Sequence, residues 1–154
     1  MSKWISLLKM GSKSFLDFLP TNFRHEKSFL IQNNLTDFEK VSNLSDLDIN
    51  ENQRKSSLCS LNNLRKIRAI AIFKKEIGIS PPQGYLLLHC GISSIKSLSL
   101  STPNELEGKI GRLERMLKVK TDTDITFALL SKWIARAKQT CKSIWNLGEN
   151  NFLM

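Results

Sequence analysis

The sequence predicts an all-α fold: two related helical units packed around a central apolar helix. Three observations predict it. Helix-start signals recur along the chain, strand signals are poor, and a short motif returns after 57 residues. Apolar and polar residues nowhere alternate for more than a few positions and β-branched runs are short, so no half-buried strand is indicated. At 154 residues the chain is long enough for one compact domain, or for two small units sharing a core.

The helix starts rest on local chemistry. Ser80-Pro81-Pro82-Gln83 places Ser at an N-cap, Pro at the first helical position where a missing N–H costs nothing, and Gln where its side chain bonds back. Thr102-Pro103-Asn104-Glu105 repeats that logic, and Thr36 with Glu39 and Asp48 with Glu51 are weaker versions. Leu106, Ile110, Leu113 and Leu117 then form one apolar stripe, with Glu105/Lys109 and Glu114/Lys118 at i,i+4 spacing. Leu130, Trp133, Ile134, Ala137, Cys141 and Ile144 form a second stripe on a last helix starting near Asp124, the candidate cap.

The segment Leu64 to Ile77 differs, because Ala69-Ile70-Ala71-Ile72-Phe73 is apolar on every side; a helix of that kind must be buried, and it is read as the shared spine. The ends lack caps or a sustained stripe. The expected organisation is therefore a flexible segment 1–12, a first unit with the spine at 13–77, a second unit at 78–146 and a flexible tail at 147–154.

Leu30, Asn34, Leu35, Thr36, Phe38 and Val41 align at an offset of 57 with Leu87, Gly91, Ile92, Ser93, Ile95 and Leu98. In each copy a helix ends, Asn34 or Gly91 takes the left-handed conformation that closes it, an apolar residue turns inward, and Thr36 or Ser93 caps the next helix. Two such units would bury faces that neither buries alone.

Charge narrows the partners. Lys and Arg number 23 against 14 Asp and Glu, a formal net charge of +9, so the surface attracts anions: DNA, RNA or an acidic protein. The longest apolar run, Ala69 to Phe73, is too short to cross a bilayer, and the N-terminus has no continuous apolar core for secretion. Cys59, Cys90 and Cys141 are odd in number and lack paired spacing, which reads as reduced thiols in the cytoplasm.

Enzymatic chemistry is not expected. His25 and His89 are the only histidines, and His89 and Cys90 project about 100° apart on a helix, which is no ligand pair. Asp122 and Asp124 lack the glycine and glutamate of a calcium loop and read as helix caps, as do Asp46 and Asp48. Nucleophile-elbow, phosphate-loop and dinucleotide motifs are absent, so neither cofactor nor metal is expected. Trp133 is a core candidate; Trp4 and Trp145 lie near the ends, where they could anchor a partner.

The stretch Gly78 to Ile92 resembles the helix-hairpin-helix (SAM-like) signature, with Gly78, Ile79, Gly84, Gly91 and Ile92 at its marker positions. Leu19-Pro20, Phe23, Arg24, Glu26-Lys27, Asn34-Leu35-Thr36, Arg54-Lys55 and Arg112-Leu113-Glu114-Arg115 are similar to a family of uncharacterised cyanobacterial proteins classed as a domain of unknown function, DUF family 4332. The likeness spans roughly Phe15 to Lys138. In DNA-binding members of the helix-hairpin-helix class, hairpin N–H groups and a helix N-terminus hold a phosphate. The resemblance implies that role for Gly78, Ile79 and Ser80. Ser80 departs from the pattern, Pro81 and Pro82 donate nothing, and the first unit has Thr21 and Phe23 at the hairpin positions with no glycine.

Lys74, Lys75, Lys109, Arg112, Arg115, Lys118 and Lys120 could track a phosphate backbone beside such a hairpin, although Glu105, Glu107 and Glu114 dilute the patch. Lys132, Arg136, Lys138 and Lys142 spread over the polar side of the last helix and read first as a solvated face. The expected function is non-catalytic contact with DNA or RNA backbone at low sequence specificity. The competitor is a protein-interaction module, since this fold class also serves as an adaptor.

Overall fold

A computed structural model describes residues 15–56, 58–117 and 125–152. These residues are helical throughout their ordered elements, and no strand occurs among them. Two short 3-10 turns, Phe15–Phe18 and Thr21–Phe23, precede eight α-helices. They are α1 (Arg24–Gln32), α2 (Phe38–Ser42), α3 (Asp46–Lys55), α4 (Leu61–Ile77), α5 (Pro81–His89), α6 (Ile95–Ser99), α7 (Pro103–Leu117) and α8 (Phe127–Phe152). Two compact units result, Met1–Ala71 and Ile72–Met154, and the division falls inside α4.

In the first unit, Phe29, Ile49, Cys59 and Leu64 form a buried cluster against which Leu44 and Leu61 pack. The buried carboxylate of Glu26 ties α1 to the start of α4: its Oε1 accepts from the Ser60 N–H and from the Asn63 amide, both at 3.0 Å. Arg68 of α4 donates to the Leu44 carbonyl at 3.2 Å and pairs with Asp46 at 2.8 Å, fixing the turn between α2 and α3.

The second unit has the larger core. Phe73, Ile77, Ile79, Leu86, Leu87, Leu98, Leu106, Ile110, Leu130, Trp133, Ile134 and Ala137 are buried together, so Leu106 and Ile110 of the α7 stripe and Leu130, Trp133, Ile134 and Ala137 of the α8 stripe face inward. Helix α8 packs against α6 and α7, and α5 packs against α7. Within α4, Ala69, Ile70, Ala71 and Phe73 are buried while Ile72 is half-buried.

The left-handed joints stand where their residue types allow. Asn34 (φ 59) is the one non-glycine at positive φ among the described residues, and Gly91 has φ 85. Beyond each, the next N–H reaches back to the same depth: Leu35 to the Leu30 carbonyl at 2.8 Å and Ile92 to the Leu87 carbonyl at 3.0 Å. Asn34 and Gly91 themselves donate to Ile31 and Leu88, which completes a Schellman arrangement at both helix ends. The helix starts Arg24, Phe38 and Asp46 recur 57 positions later at Pro81, Ile95 and Pro103, and the ends Gln32 and Ser42 at His89 and Ser99.

Several caps differ from the sequence reading. Asp37, not Thr36, caps α2 by accepting from the Glu39 N–H, in keeping with the stronger N-cap preference of Asp. Ser94, not Ser93, caps α6, because the residue three positions on is Ser97, which can bond back, whereas for Ser93 it is a lysine. Ser45 caps α3, and Asp48 is its reciprocal partner rather than the cap. Helix α8 starts at Phe127 with Thr126 Oγ1 accepting from the Leu129 N–H, and it continues to Phe152, into the stretch expected to be a flexible tail. Trp4, Lys118, Lys120, Asp122 and Asp124 lie outside the described residues, as do the side chains of Leu117, Ile144 and Trp145.

Candidate nucleic-acid interface

Every described residue singled out for nucleic-acid contact falls in the second unit. Lys74 and Lys75 occupy the last turn of α4, where cations complement the helix dipole. Gly78 follows at φ 83 with nothing within 4 Å of a built Cβ, so its glycine answers a backbone conformation and not a close approach.

The hairpin amides are already engaged. Gly78 N–H donates to the carbonyls of Phe73 and Lys74 at 3.1 Å each, and Ile79 N–H donates to Phe73 at 3.3 Å. Ser80 N–H donates to Gln83 Oε1 at 3.2 Å in a capping box. Pro81 and Pro82 carry no N–H. The Ile79 side chain is fully buried in the core. A phosphate at Gly78, Ile79 and Ser80 would have to displace these bonds, since each amide has a partner within the chain. Thr21 and Phe23, at the hairpin positions expected for the first unit, lie in the 3-10 turn Thr21–Phe23, and Phe23 is buried.

Lys109, Arg112 and Arg115 lie on α7, which packs against α5. Cys90 closes α5 at the end opposite Ser80, about 15 Å away for ten residues at the α-helical rise. Burial raises the pKa of its thiol, and the charge of Lys109 works in the other direction. Lys109, Arg112 and Arg115 are exposed, with Arg112 Nε donating to the Gly108 carbonyl of its own helix at 3.3 Å.

On the first six turns of α8 the chain itself carries no acidic residue. Lys132, Arg136, Lys138 and Lys142 are all exposed, and Phe127 to Gly148 contains no Asp or Glu. The sequence reading names these four as a solvated face; the informative signal is the missing acidic residues. It passes over the pairing of Tyr85 with His89, whose i,i+4 spacing places both rings on one side of α5.

Among the described residues, no group of three or more His, Cys, Asp or Glu is placed to hold a metal ion. The cysteines Cys59, Cys90 and Cys141 are free. No described helix is long and apolar enough to cross a membrane.

These observations define an all-helical protein whose second unit displays cations on adjacent packed helices. The chain belongs to the family described as Domain of unknown function (DUF4332), whose model matches residues 20–140. Neither the curated proteins nor the solved structures contain a significant match to it.

Proposed function

We propose that this protein is a non-catalytic nucleic-acid-binding protein that contacts phosphate backbone with little sequence preference. The observation that carries the reading is the exposed face of α8, where Lys132, Arg136, Lys138 and Lys142 face solvent with no acidic residue between Phe127 and Gly148. Such a face gains by releasing counterions from a polyanion. Arg112 and Arg115 on α7, which packs against α8, extend the same chemistry.

The architecture is read as two diverged helix-hairpin-helix-like units. Three helix starts recurring at one offset support that reading, together with Asn34 and Gly91 at positive φ. So do the buried pairs Leu30/Leu87, Val41/Leu98 and Ile49/Leu106 at the same offset. Free thiols fit a cytoplasmic setting.

The test is binding of labelled duplex DNA, single-stranded DNA and RNA at two salt concentrations. If four phosphates are neutralised, affinity should fall on the order of a hundredfold between about 50 and about 200 mM salt. Affinity that is absent at low salt, or indifferent to salt, would refute the reading. A protein-interaction role is the second reading, favoured by the internal use of the Gly78, Ile79 and Ser80 amides. It predicts an acidic protein recovered from native lysate after nuclease treatment, with no affinity for bare nucleic acid.

A further inference from the structure

We infer that α8 lies lengthwise in the major groove of B-form duplex DNA, with one pair of its cations on each phosphate backbone. The inference rests on the nucleic-acid reading and names the form of the ligand. Lys132 and Arg136 stand at i,i+4 spacing, and so do Lys138 and Lys142, so each pair forms a short rail along the helix. At about 100° per residue the two rails are about 120° apart around the helix axis. Ala128, Ala135 and Gln139 fall between them, and all three are exposed. Leu130, Trp133, Ile134 and Ala137, on the opposite side, are buried in the core of the second unit. The outward face is therefore an uncharged strip between two rows of cations. None of the four cations pairs with a carboxylate among the described residues.

Two separated rails need two lines of phosphate. An α-helix with its side chains is about 10–12 Å across, and the major groove of B-DNA, with a phosphate backbone along each wall, is about 12 Å wide. Rails about 120° apart reach both walls at once, while the core side of α8 stays on the protein. A single strand offers one line of phosphates, which serves one rail and leaves the other in water. The major groove of A-form RNA is deep and narrow and does not admit the helix. Ala128 and Ala135 are short enough for the backbone of α8 to approach the groove floor, and their side chains carry no hydrogen-bonding group. Of the three strip residues only Gln139 can read a base edge, through N6 and N7 of adenine. One such contact accords with little sequence preference.

The experiment measures anisotropy of a fluorescein-labelled DNA duplex, and of duplex RNA and single-stranded DNA of the same sequence, with the full chain. Duplex DNA should bind about tenfold more tightly than either of the others. Lys132→Gln with Arg136→Gln, and separately Lys138→Gln with Lys142→Gln, should each reduce the salt slope of duplex binding by about two. All four side chains are exposed, so both variants should fold, and thermal melting monitors them. A footprint with the unaltered chain stands whatever the variants do. On a duplex saturated with protein, methylation by dimethyl sulfate should fall at guanine N7, in the major groove, and stay unchanged at adenine N3, in the minor groove. Protection of adenine N3 without guanine N7, equal affinity for duplex RNA, or a slope that only one rail changes would overturn this inference while leaving backbone binding intact. Failure to bind any of the three probes at low salt would overturn the underlying reading as well.

Discussion

Glu26 and Gln83 stand 57 positions apart, each the third residue of its helix, and they are the buried polar side chains among the described residues. Each directs its Oε1 at the N–H of a serine at a helix start. Glu26 takes that of Ser60, at the head of α4, and Gln83 that of Ser80, at the head of its own helix. A carboxylate at the start of the 17-residue α4 also meets the positive end of its dipole.

Glu26→Ala removes the acceptor of both the Ser60 N–H and the Asn63 amide, leaving two polar groups unsatisfied in a half-buried place. The expected cost is about 2–3 kcal/mol. Glu26→Gln keeps one acceptor oxygen and should cost about 1 kcal/mol, because Oε2 has no hydrogen-bond partner and its amide replacement gains none. Chemical denaturation checks both. Equal losses in the two variants would mean that packing volume, not the accepted hydrogen bonds, is what Glu26 supplies.

The two left-handed joints predict opposite responses. Gly91→Ala forces a Cβ into φ 85 with no steric neighbour, so its cost is conformational and about 1–2 kcal/mol. Asn34→Gly already has the required φ and should change stability by about a few tenths of a kcal/mol at most. A thermal melt in which Asn34→Gly is the more damaging of the two would show that the Asn34 side chain, rather than its backbone, holds the turn.

Arg68 links three elements through one half-buried guanidinium. Arg68→Ala should cost about 1–2 kcal/mol, mostly by orphaning the Leu44 carbonyl. Asp46→Asn should cost under about 1 kcal/mol, since that carboxylate is largely exposed and its ion pair is screened by water. Comparable losses would assign the stability to the ion pair.

The helices are legible in the sequence because their starts are written in short-range chemistry. Ser80-Pro81-Pro82-Gln83 caps as read, and Leu106, Ile110, Leu130 and Ala137 face the core that their spacing implies. The caps at Asp37, Ser94 and Ser45 fall one to three residues from their expected places, because neighbouring Ser, Thr and Asp compete for the same N–H groups and only the backbone decides between them. The state of the hairpin amides is not legible at all. Whether Gly78 and Ile79 offer their N–H groups to a ligand or to Phe73 depends on how α4 ends, and glycine permits both.

Asp48 gives a pH dependence of known sign. The Ser45 backbone N–H first, and the Ser45 hydroxyl second, hold its carboxyl below the ordinary value. A folded-state pKa below the unfolded one means that the stability it lends is present above the unfolded value and is lost as pH falls through the folded one. Acid titration of the wild type should therefore show a loss in the range below the usual carboxylate pKa of about 3.9, and Asp48→Asn should lack that part of it. An unchanged acid limb in the variant would show that other carboxylates govern the transition.

The α8 face can be separated from the α7 face by salt. Lys132→Glu with Arg136→Glu reverses two exposed charges, and neither residue belongs to the core cluster, so the fold should persist. If both cations sit on phosphates, the salt slope of nucleic-acid binding should shrink by about two, roughly one for each phosphate no longer neutralised. Arg112→Glu with Arg115→Glu should act in the same direction and more weakly, because Glu105, Glu107 and Glu114 already dilute the field of α7. A complete loss of binding from the α7 pair with no effect from the α8 pair would transfer the interface to α7. A slope that neither pair changes would place the phosphates elsewhere on the second unit, with Lys74 and Lys75 next to be reversed.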